Sequence, residues 1–442
     1  MNNQNIPAIA WRNLWRNRRR TVLTLISISF GVFLAIMFTA MQDRNWSDMI
    51  DLAARLGGGH VTMQHPDYRD TPSLKKTVRQ TDGVLSAAAS EPSVEKVTAR
   101  ITGPIMLNTS AESFGASFIA FDPKSEDETT LSLLSPDALI SGRMFTEPDE
   151  AGIILGAKLA ENLDAEIGNR IVYTLTDKHG DIVSGLARLS GTIKTGAPNL
   201  DANLSLLPIA SVRDIIDYES DEVTQIAVFV DDQRNSGEIA DNIKNKLANT
   251  AEVSVMPWNL NQPDLAGFIA LKVGGTRVMA AFIGLLVAAG IFNTIFVGVM
   301  ERLREFGILL AIGFSPLRLF GLVMMESLWL ALVGLIGAAL ITSGPYFYLE
   351  SVGIDISQLL AEQGTLDVAG VAMSTVLKVG IFSESVFYIT MAAIVATFQQ
   401  MVRIADGTGI PLDAPVADMT VDLRSEIGLN EFGSARNTLR GD

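Results

Sequence analysis

Long uncharged stretches dominate the pattern of hydrophobic positions along this chain. Residues 21–41 (TVLTLISISFGVFLAIMFTAM) and 278–300 carry no charged side chain, and residues 319–343 carry only Glu326. A helix needs about 20 apolar residues to cross the hydrocarbon core of a bilayer. The pattern therefore predicts three membrane spans, and the more polar stretch 379–402 is a candidate for a fourth.

The charges that flank these stretches predict their orientation. Short basic flanks stay in the cytoplasm, so the N-terminus and the connection 301–318 are predicted to lie inside. The first apolar run is longer than that of a signal peptide and no cleavage site follows it, so we expect it to be retained. Residues 8–20 read as an amphipathic interfacial helix, with Trp11 and Trp15 among the arginines. Those arginines are Arg12, Arg16, Arg18, Arg19 and Arg20.

The segment between the first two spans is predicted to be a large α+β domain outside the cytoplasm. It holds the acidic excess behind the net charge of −15 and, like the whole chain, no cysteine. Nucleic acid is therefore excluded as a partner, and no disulfide framework is expected. Turn signals predict two lobes, 47–115 and 116–225, with a hairpin turn at Asp177–Gly180. Predicted strands are His60–Gln64, Val94–Thr102, Ser117–Phe121, Gly152–Leu155, Arg170–Leu175, Asp181–Leu189, Thr224–Val230 and Val253–Met256, and Asn235–Ala248 is a predicted helix.

Motifs for catalysis are missing from the sequence. It contains no phosphate-binding P-loop, no nucleophile elbow and no zinc-protease motif. His60 and His65 lie close in sequence, but two histidines do not complete a metal site, so they are interpreted as ordinary histidines, as is His179. We therefore expect no catalytic residue, no metal and no cofactor on this chain.

Glu326 is unusual because it lies within a predicted span. A charged group inside a bilayer costs about 2.5–3.5 kcal/mol on insertion scales and often marks a functional or packing contact. Snorkelling, or pairing with Arg318 two turns earlier, explains it equally well.

The stretch between the second and third spans carries the most specific pattern. Residues 299–326 read VMERLREFGILLAIGFSPLRLFGLVMME, in which a short charged helix is followed by Ser315-Pro316, a typical helix start. Such a helix on the cytoplasmic face suits contact with a soluble subunit. The pattern resembles E-R-x-x-E-[IF]-G-[IL]-x-x-A-[IL]-G of the MacB, LolC/LolE and FtsX permeases, the mechanotransmitting branch of ABC transporters. The N-terminal residues 10–20, and short motifs at 121–123, 141–143 and 154–168, also resemble this family.

The resemblance implies a function and a set of partners. Such permeases pair two by two, as identical or homologous chains, and bind two cytoplasmic ATPase subunits that hold ATP and Mg. The external domains transmit the conformational change that ATP binding drives, and no substrate passes through a water-filled channel. The residues implied to dock the ATPase are Glu301, Arg302, Arg304, Glu305, Phe306, Gly307, Ala311 and Gly313.

Two features depart from the family pattern. The end of the fourth span lacks the family's proline-containing motif, and an acidic tail follows it. The hairpin near Tyr173–Ile182 is shorter than the hook that recruits a periplasmic chaperone in the LolC branch, which leaves chaperone docking open.

Three functions remain open at this point. The first, favoured because the segment 59–68 most resembles the LolC/LolE-like lipoprotein-releasing branch, is extraction of lipoproteins or lipids from the bacterial inner membrane, with a substrate cavity at Met37, Phe38, Met41, Phe282 and Leu286. The others are MacB-like export of a peptide or drug from the periplasm and FtsX-like signalling to a cell-wall hydrolase. The predicted segments are 1–20 (interfacial helix), 21–41 (span 1), 42–272 (periplasmic domain), 273–300 (span 2), 301–318 (coupling helix), 319–343 (span 3), 344–378 (periplasmic loop), 379–402 (span 4) and 403–442 (cytoplasmic tail).

Overall fold

The computed structural model divides the chain into two compact units. The helical unit comprises residues 1–42, 275–352 and 379–442, and the sheet unit comprises residues 43–274 and 353–378. The structure describes residues 6–148, 150–247, 252–356, 367–368, 371–372, 376–380, 382, 385–387, 389–391 and 395. Within them, side chains are not described at 280, 286–288, 290–295, 298–299, 303, 310 and 316–317.

Three helices of the described residues are long and apolar enough to cross a membrane, and each contains one of the three predicted spans or part of it. The predicted fourth span falls largely outside the described residues, as does the predicted tail, so a four-span topology stays a prediction. The helices are α1 (Ile6–Leu14), α2 (Arg18–Leu56), α3 (Thr81–Ala89), α4 (Ala157–Asn162), α5 (Pro198–Asp201), α6 (Ile209–Ile215), α7 (Ser236–Leu247), α8 (Trp258–Asn261), α9 (Pro263–Glu301), α10 (Leu303–Ala311) and α11 (Pro316–Ser351).

Helix α2 continues well beyond the apolar run 21–41. Its last turns are amphipathic, with Trp46, Met49, Ile50 and Ala53 at the spacing of one helix face. This face is buried against the first part of α9, where Leu265 and Ile269 complete the cluster. The apolar face therefore keeps the chain helical outside the uncharged run.

Three consecutive glycines, Gly57 to Gly59, end α2, and glycine is a strong helix breaker. Gly59 has a φ of +75°, and a Cβ atom there would lie 2.7 Å from the backbone nitrogen and oxygen of Val228. Only glycine fits both the left-handed conformation and this close backbone approach. The glycines thus turn the chain from the helix directly into the sheet.

The described strands of the sheet unit build a ten-stranded mixed sheet in the order β10-β1-β9-β2-β3-β8-β5-β7-β4, with β6 pairing with β2 and β7. Two further two-stranded sheets, β11-β14 and β12-β13, come from the segment after α11. The strands are β1 (Val61–Gln64), β2 (Val94–Asn108), β3 (Ser113–Phe121), β4 (Leu139–Gly142), β5 (Gly152–Gly156), β6 (Arg170–Thr176), β7 (Ile182–Ile193), β8 (Leu204–Pro208), β9 (Gln225–Val230), β10 (Ser254–Pro257), β11 (Ile354–Asp355), β12 (Asp367–Val368), β13 (Val371–Ala372) and β14 (Val376–Leu377).

The sheet has two halves, β10-β1-β9 on one side and β3-β8-β5-β7-β4 with β6 on the other, and strand β2 pairs with both. Its residues 94–100 pair with β9, and its residues 101–108 pair with β3. The predicted α+β class is confirmed, but the predicted lobe boundary at residues 115 and 116 is wrong because both residues lie within β3. One apolar core with members from β1, β2, β5, β6, β7 and β9 extends along the sheet. A division into two lobes stays a prediction.

Most predicted strands are present, with small shifts at their ends. The hairpin turn is confirmed: the Asp177 carboxylate accepts hydrogen bonds from the backbone N–H groups of His179, Gly180 and Asp181. Strand β8 was not predicted. All five of its residues are buried, so its sequence LSLLP lacks the regular alternation of apolar and polar residues that identifies a half-buried strand.

Candidate coupling site

Helix α10 immediately follows α9 and buries one of its faces. Phe306 is 6% exposed. Together with Leu309, it packs into a cluster with Ile28 of α2 and with Leu319 and Ala338 of α11. The spacing of Phe306 and Leu309 places them on the same face of α10. The cluster therefore connects α10 to α2 and α11.

The opposite face of α10 is exposed and largely apolar. Ile308 is 59% exposed, and Ile312, the residue directly after the helix, is 77% exposed. Arg304 and Ala311 are exposed beside them. These four residues, which we call the docking face, offer an apolar surface with one positive charge.

A glycine ends α10 with a defined geometry. Gly313 has a φ of +98°, and the N–H of Phe314 donates to the carbonyl of Leu309 at 3.0 Å, the bond that marks a Schellman cap. Helix α11 then starts after Ser315, as the sequence predicts. Gly307 differs from Gly313, because a Cβ atom there would meet nothing within 4 Å.

Two ion pairs connect the N-terminal arginines to the acids around α10. Arg20 Nη1 lies 2.7 Å from Glu301 Oε2, and Arg16 Nη2 lies 2.8 and 2.9 Å from the two oxygens of Glu305. The sequence pattern indicated a position at the membrane surface for these arginines but not their pairing. A signal existed, since the two arginines and the two glutamates each lie four residues apart in the sequence.

Two neighbouring arginines lower the pKa of Glu305. The hydrogen bond from Arg16 is the main cause that lowers the pKa of Glu305 below its ordinary value of 4.5, and Arg302 contributes in the same direction. Glu305 is therefore a carboxylate at neutral pH, and the pair with Arg16 is charged.

Glu326 pairs with Arg302, so the predicted pairing with Arg318 is wrong. Arg302 Nη1 lies 3.2 and 3.0 Å from the two oxygens of Glu326, and its Nε lies 3.3 Å from Glu305 Oε2. The Arg302 guanidinium also stacks over the Phe306 ring, 5.5 Å from the centroid. Arg302 thus connects α11 with α10 in a poorly exposed position, where its side chain is 11% and that of Glu326 14% exposed.

Helix α1 packs on α11 through tryptophans. The rings of Trp11 and Trp15 lie 5.8 Å apart, and those of Trp11 and Trp329 lie 5.2 Å apart. The indole N–H of Trp329 donates to the carbonyl of Pro7 at 3.3 Å. These contacts hold the N-terminal helix in place ahead of the paired arginines.

The five predicted cavity residues are only partly described. Met37, Phe38 and Met41 are half-buried on α2, and Phe282 on α9 is 60% exposed. The side chain of Leu286 lies outside the described part. A substrate cavity formed by these residues stays a prediction.

The histidines have structural partners in the sheet unit. His60 Nδ1 accepts a hydrogen bond from the N–H of Val230, so its Nε2 carries the proton and donates to Asp51 Oδ1 at 3.0 Å. His65 Nδ1 accepts from the N–H of Asp67. Within the described ranges, no group of three or more histidine or acidic side chains could hold a metal ion.

Family models match both units of the chain. The MacB-like periplasmic core domain matches residues 21–246, and the FtsX-like permease C-terminal domain matches residues 277–398. The chain belongs to the MacB, LolC/LolE and FtsX family of ABC-transporter permeases. The long apolar helices and the α+β domain agree with membership of this permease family.

Individual relatives of this permease are distant. The lipoprotein-releasing system transmembrane protein LolC of Xylella fastidiosa is 25% identical over 48% of this chain and 50% of its own length. The pyoverdine export ATP-binding/permease protein PvdT of Pseudomonas fluorescens is 23% identical over 82% of this chain and 55% of its own length. The chain thus spans about half the length of these relatives. The periplasmic region of MacB from Actinobacillus actinomycetemcomitans aligns with 48% of this chain and 95% of its own, at 13% identity and a TM-score of 0.33, too low to carry an argument.

Proposed function

We propose that this permease couples ATP hydrolysis by a separate cytoplasmic ATPase to the extraction of lipoproteins or lipids from the bacterial inner membrane. The assembly would hold two ATPase subunits, with ATP and Mg bound there, and a second permease chain, identical or homologous. The sheet unit would lie in the periplasm. The permease itself would carry no catalytic residue.

The arrangement of α10 carries this proposal. Its docking face, with Arg304, Ile308 and Ile312, is the part of α10 available to a soluble partner. Its other face is fixed to α2 and α11 by Phe306 and by the ion pairs. A partner that shifts α10 would therefore also shift the two long helices packed behind it.

Helix α2 offers a route for this movement. It is a single helix from Arg18 to Leu56, so a displacement at its first turn, where Arg20 pairs with Glu301, would be carried along its length. Cargo would be moved by such displacements at the outer end of the apolar part of α2, near Met37, Phe38 and Met41.

The similarity to LolC supports a lipoprotein or lipid as the cargo. PvdT supports the second candidate, export from the periplasm, because its similarity covers more of this chain. FtsX-like signalling to a cell-wall hydrolase is the third, supported by the match of residues 277–398 to the FtsX-like domain.

Mass spectrometry of the purified complex separates these candidates. The tagged chain would be purified in detergent with its ATPase, and bound acylated protein or lipid would be identified before and after addition of ATP. Acylated cargo that ATP releases is the expected result. A complex that hydrolyses ATP without acylated cargo would contradict extraction and favour export or signalling.

A further inference from the structure

Arg100 is a fully buried arginine that joins three separate segments of the sheet unit. Its side chain and that of Glu126 are both 0% exposed. Arg100 Nε lies 2.6 Å from Glu126 Oε1, and its Nη2 lies 2.8 Å from Glu126 Oε2 and 2.9 Å from the carbonyl oxygen of Thr130. Nη1 donates to the carbonyl of Gly57. The guanidinium also lies over the Phe229 ring, 5.8 Å from the centroid.

Arg100 lies at the point of β2 where its pairing partner changes. It is the last residue of β2 that pairs with β9, and Ile101 is the first that pairs with β3. The two halves of the sheet therefore meet at this residue. Glu126 and Thr130 come from the loop that follows β3, and Thr130 Oγ1 donates to Glu126 Oε2 at 2.6 Å.

Gly57 is the first residue after α2. The last carbonyls of a helix lack partners within the helix and carry partial negative charge, so a cation that binds there is favourable. A second contact reinforces this connection, since Asp51 of α2 accepts a hydrogen bond from His60 at the start of the sheet. The end of α2 is therefore held by partly buried polar contacts in addition to apolar packing.

Stability alone does not account for this arrangement. Desolvation of two charges offsets most of their attraction, and well-packed apolar residues often replace a buried ion pair without loss of stability. The planar fork of arginine, however, fixes several acceptors in one geometry, which neither lysine nor an apolar residue does. The contacts thus specify position more than they add stability.

We propose that Arg100 is a positioning residue that locks the end of α2 to the sheet where its two halves meet, so that the sheet unit moves with α2. This inference rests on the proposed function, in which α2 carries the movement. We name the contacts of Arg100 with Gly57, Glu126 and Thr130 the Arg100 clamp.

Distance measurements between spin labels test the clamp. The chain contains no cysteine, so Arg44→Cys on α2 and Glu128→Cys on the exposed part of the loop give a unique label pair. The full chain, with its ATPase in nanodiscs, would be diluted with unlabelled chain. The control is the exposed pair Lys96–Asp127 on the same strand and loop, removed as Lys96→Gln/Asp127→Asn.

The clamp predicts a narrow distance distribution in the wild type and in the control, with and without ATP. Arg100→Met/Glu126→Leu, which leaves no unpaired buried charge, should broaden the distribution. It should also lower cargo release per ATP hydrolysed by about tenfold, within the range by which such positions modulate coupling. Arg100→Lys should also broaden the distance distribution. This single variant provides the test if the double variant does not fold.

Two results would overturn the clamp. One is a distance distribution in Arg100→Met/Glu126→Leu that is as narrow as in the wild type. The other is a wild-type distance distribution in Arg100→Lys. Failure of the proposed function has a different signature. In that case the distributions behave as described, but the wild type releases no acylated cargo with ATP.

Discussion

The pair between Arg302 and Glu326 places two charges in a poorly exposed part of the helical unit. The side chains are 11% and 14% exposed, and one guanidinium nitrogen contacts both carboxylate oxygens. Removal of one partner leaves the other charge without compensation, which costs about 3–5 kcal/mol for a buried pair. Since some exposure remains, we expect Arg302→Met to destabilise the permease by about 3 kcal/mol.

The double variant separates an uncompensated charge from lost packing. Arg302→Met/Glu326→Leu removes both charges and keeps most of the apolar volume, so we expect it to recover most of the stability lost in Arg302→Met. Arg16→Met is the control in the same site. Arg16 and Glu305 are 49% and 48% exposed, and such a pair contributes less than about 1 kcal/mol.

Thermal unfolding in detergent, followed by tryptophan fluorescence at one heating rate, ranks these variants. The expected order of midpoints is wild type, Arg16→Met and the double variant close together, with Arg302→Met clearly lowest. A double variant as unstable as Arg302→Met would show that the loss of stability does not come from an uncompensated charge. Equal midpoints for Arg302→Met and Arg16→Met would refute the assigned burial.

Three further predictions concern single positions. Gly313→Ala should destabilise the permease by about 1 kcal/mol, because Gly313 has a positive φ. Gly307→Ala should be neutral or stabilising, because its Cβ atom meets no neighbour and alanine favours a helix. Thermal unfolding midpoints of the two variants test this difference. Gly59→Ala should impair folding more strongly, since its Cβ atom would overlap the backbone of β9. A yield of folded protein and an unfolding midpoint equal to those of the wild type would contradict this. The hydrogen bond from Lys96 lowers the pKa of Asp127 to about 2. The stability this pair adds is therefore present above the ordinary value of 3.8 and lost as pH falls towards 2, and Asp127→Asn should remove that part of the acid dependence of unfolding.

Local patterns predicted much of this fold correctly. The uncharged runs, the glycines after α2, the turn at Asp177 and the helix start after Ser315 follow from hydrophobic spacing and backbone preference alone. The continuity of α2 was less predictable: the sequence predicted a span at 21–41 and a helical stretch that ends at Leu56, whereas the structure has one helix from Arg18 to Leu56, whose last turns pack against Leu265 and Ile269.

Contacts between distant segments could not be predicted in the same way. The coupling helix was recognised from its motif, but its ion pairs with Arg16 and Arg20 join residues nearly 300 positions apart. Glu326 was predicted to pair within its own helix, whereas Arg302 reaches it from the preceding connection. Arg100 looked like any other basic residue in a strand, and only the fold shows that it is fully buried.

The docking face of α10 is proposed to bind a cytoplasmic ATPase, and co-purification tests this directly. Tagged permease would be isolated from solubilised membranes, and co-purified ABC ATPase subunits would be quantified by mass spectrometry. We compare the wild type with Ile308→Asp/Ile312→Asp, and with Leu186→Asp as an exposed apolar control in the sheet unit. We expect the wild type and Leu186→Asp to retain the ATPase and Ile308→Asp/Ile312→Asp to lose it. Equal retention by all three would contradict binding of the ATPase to the docking face.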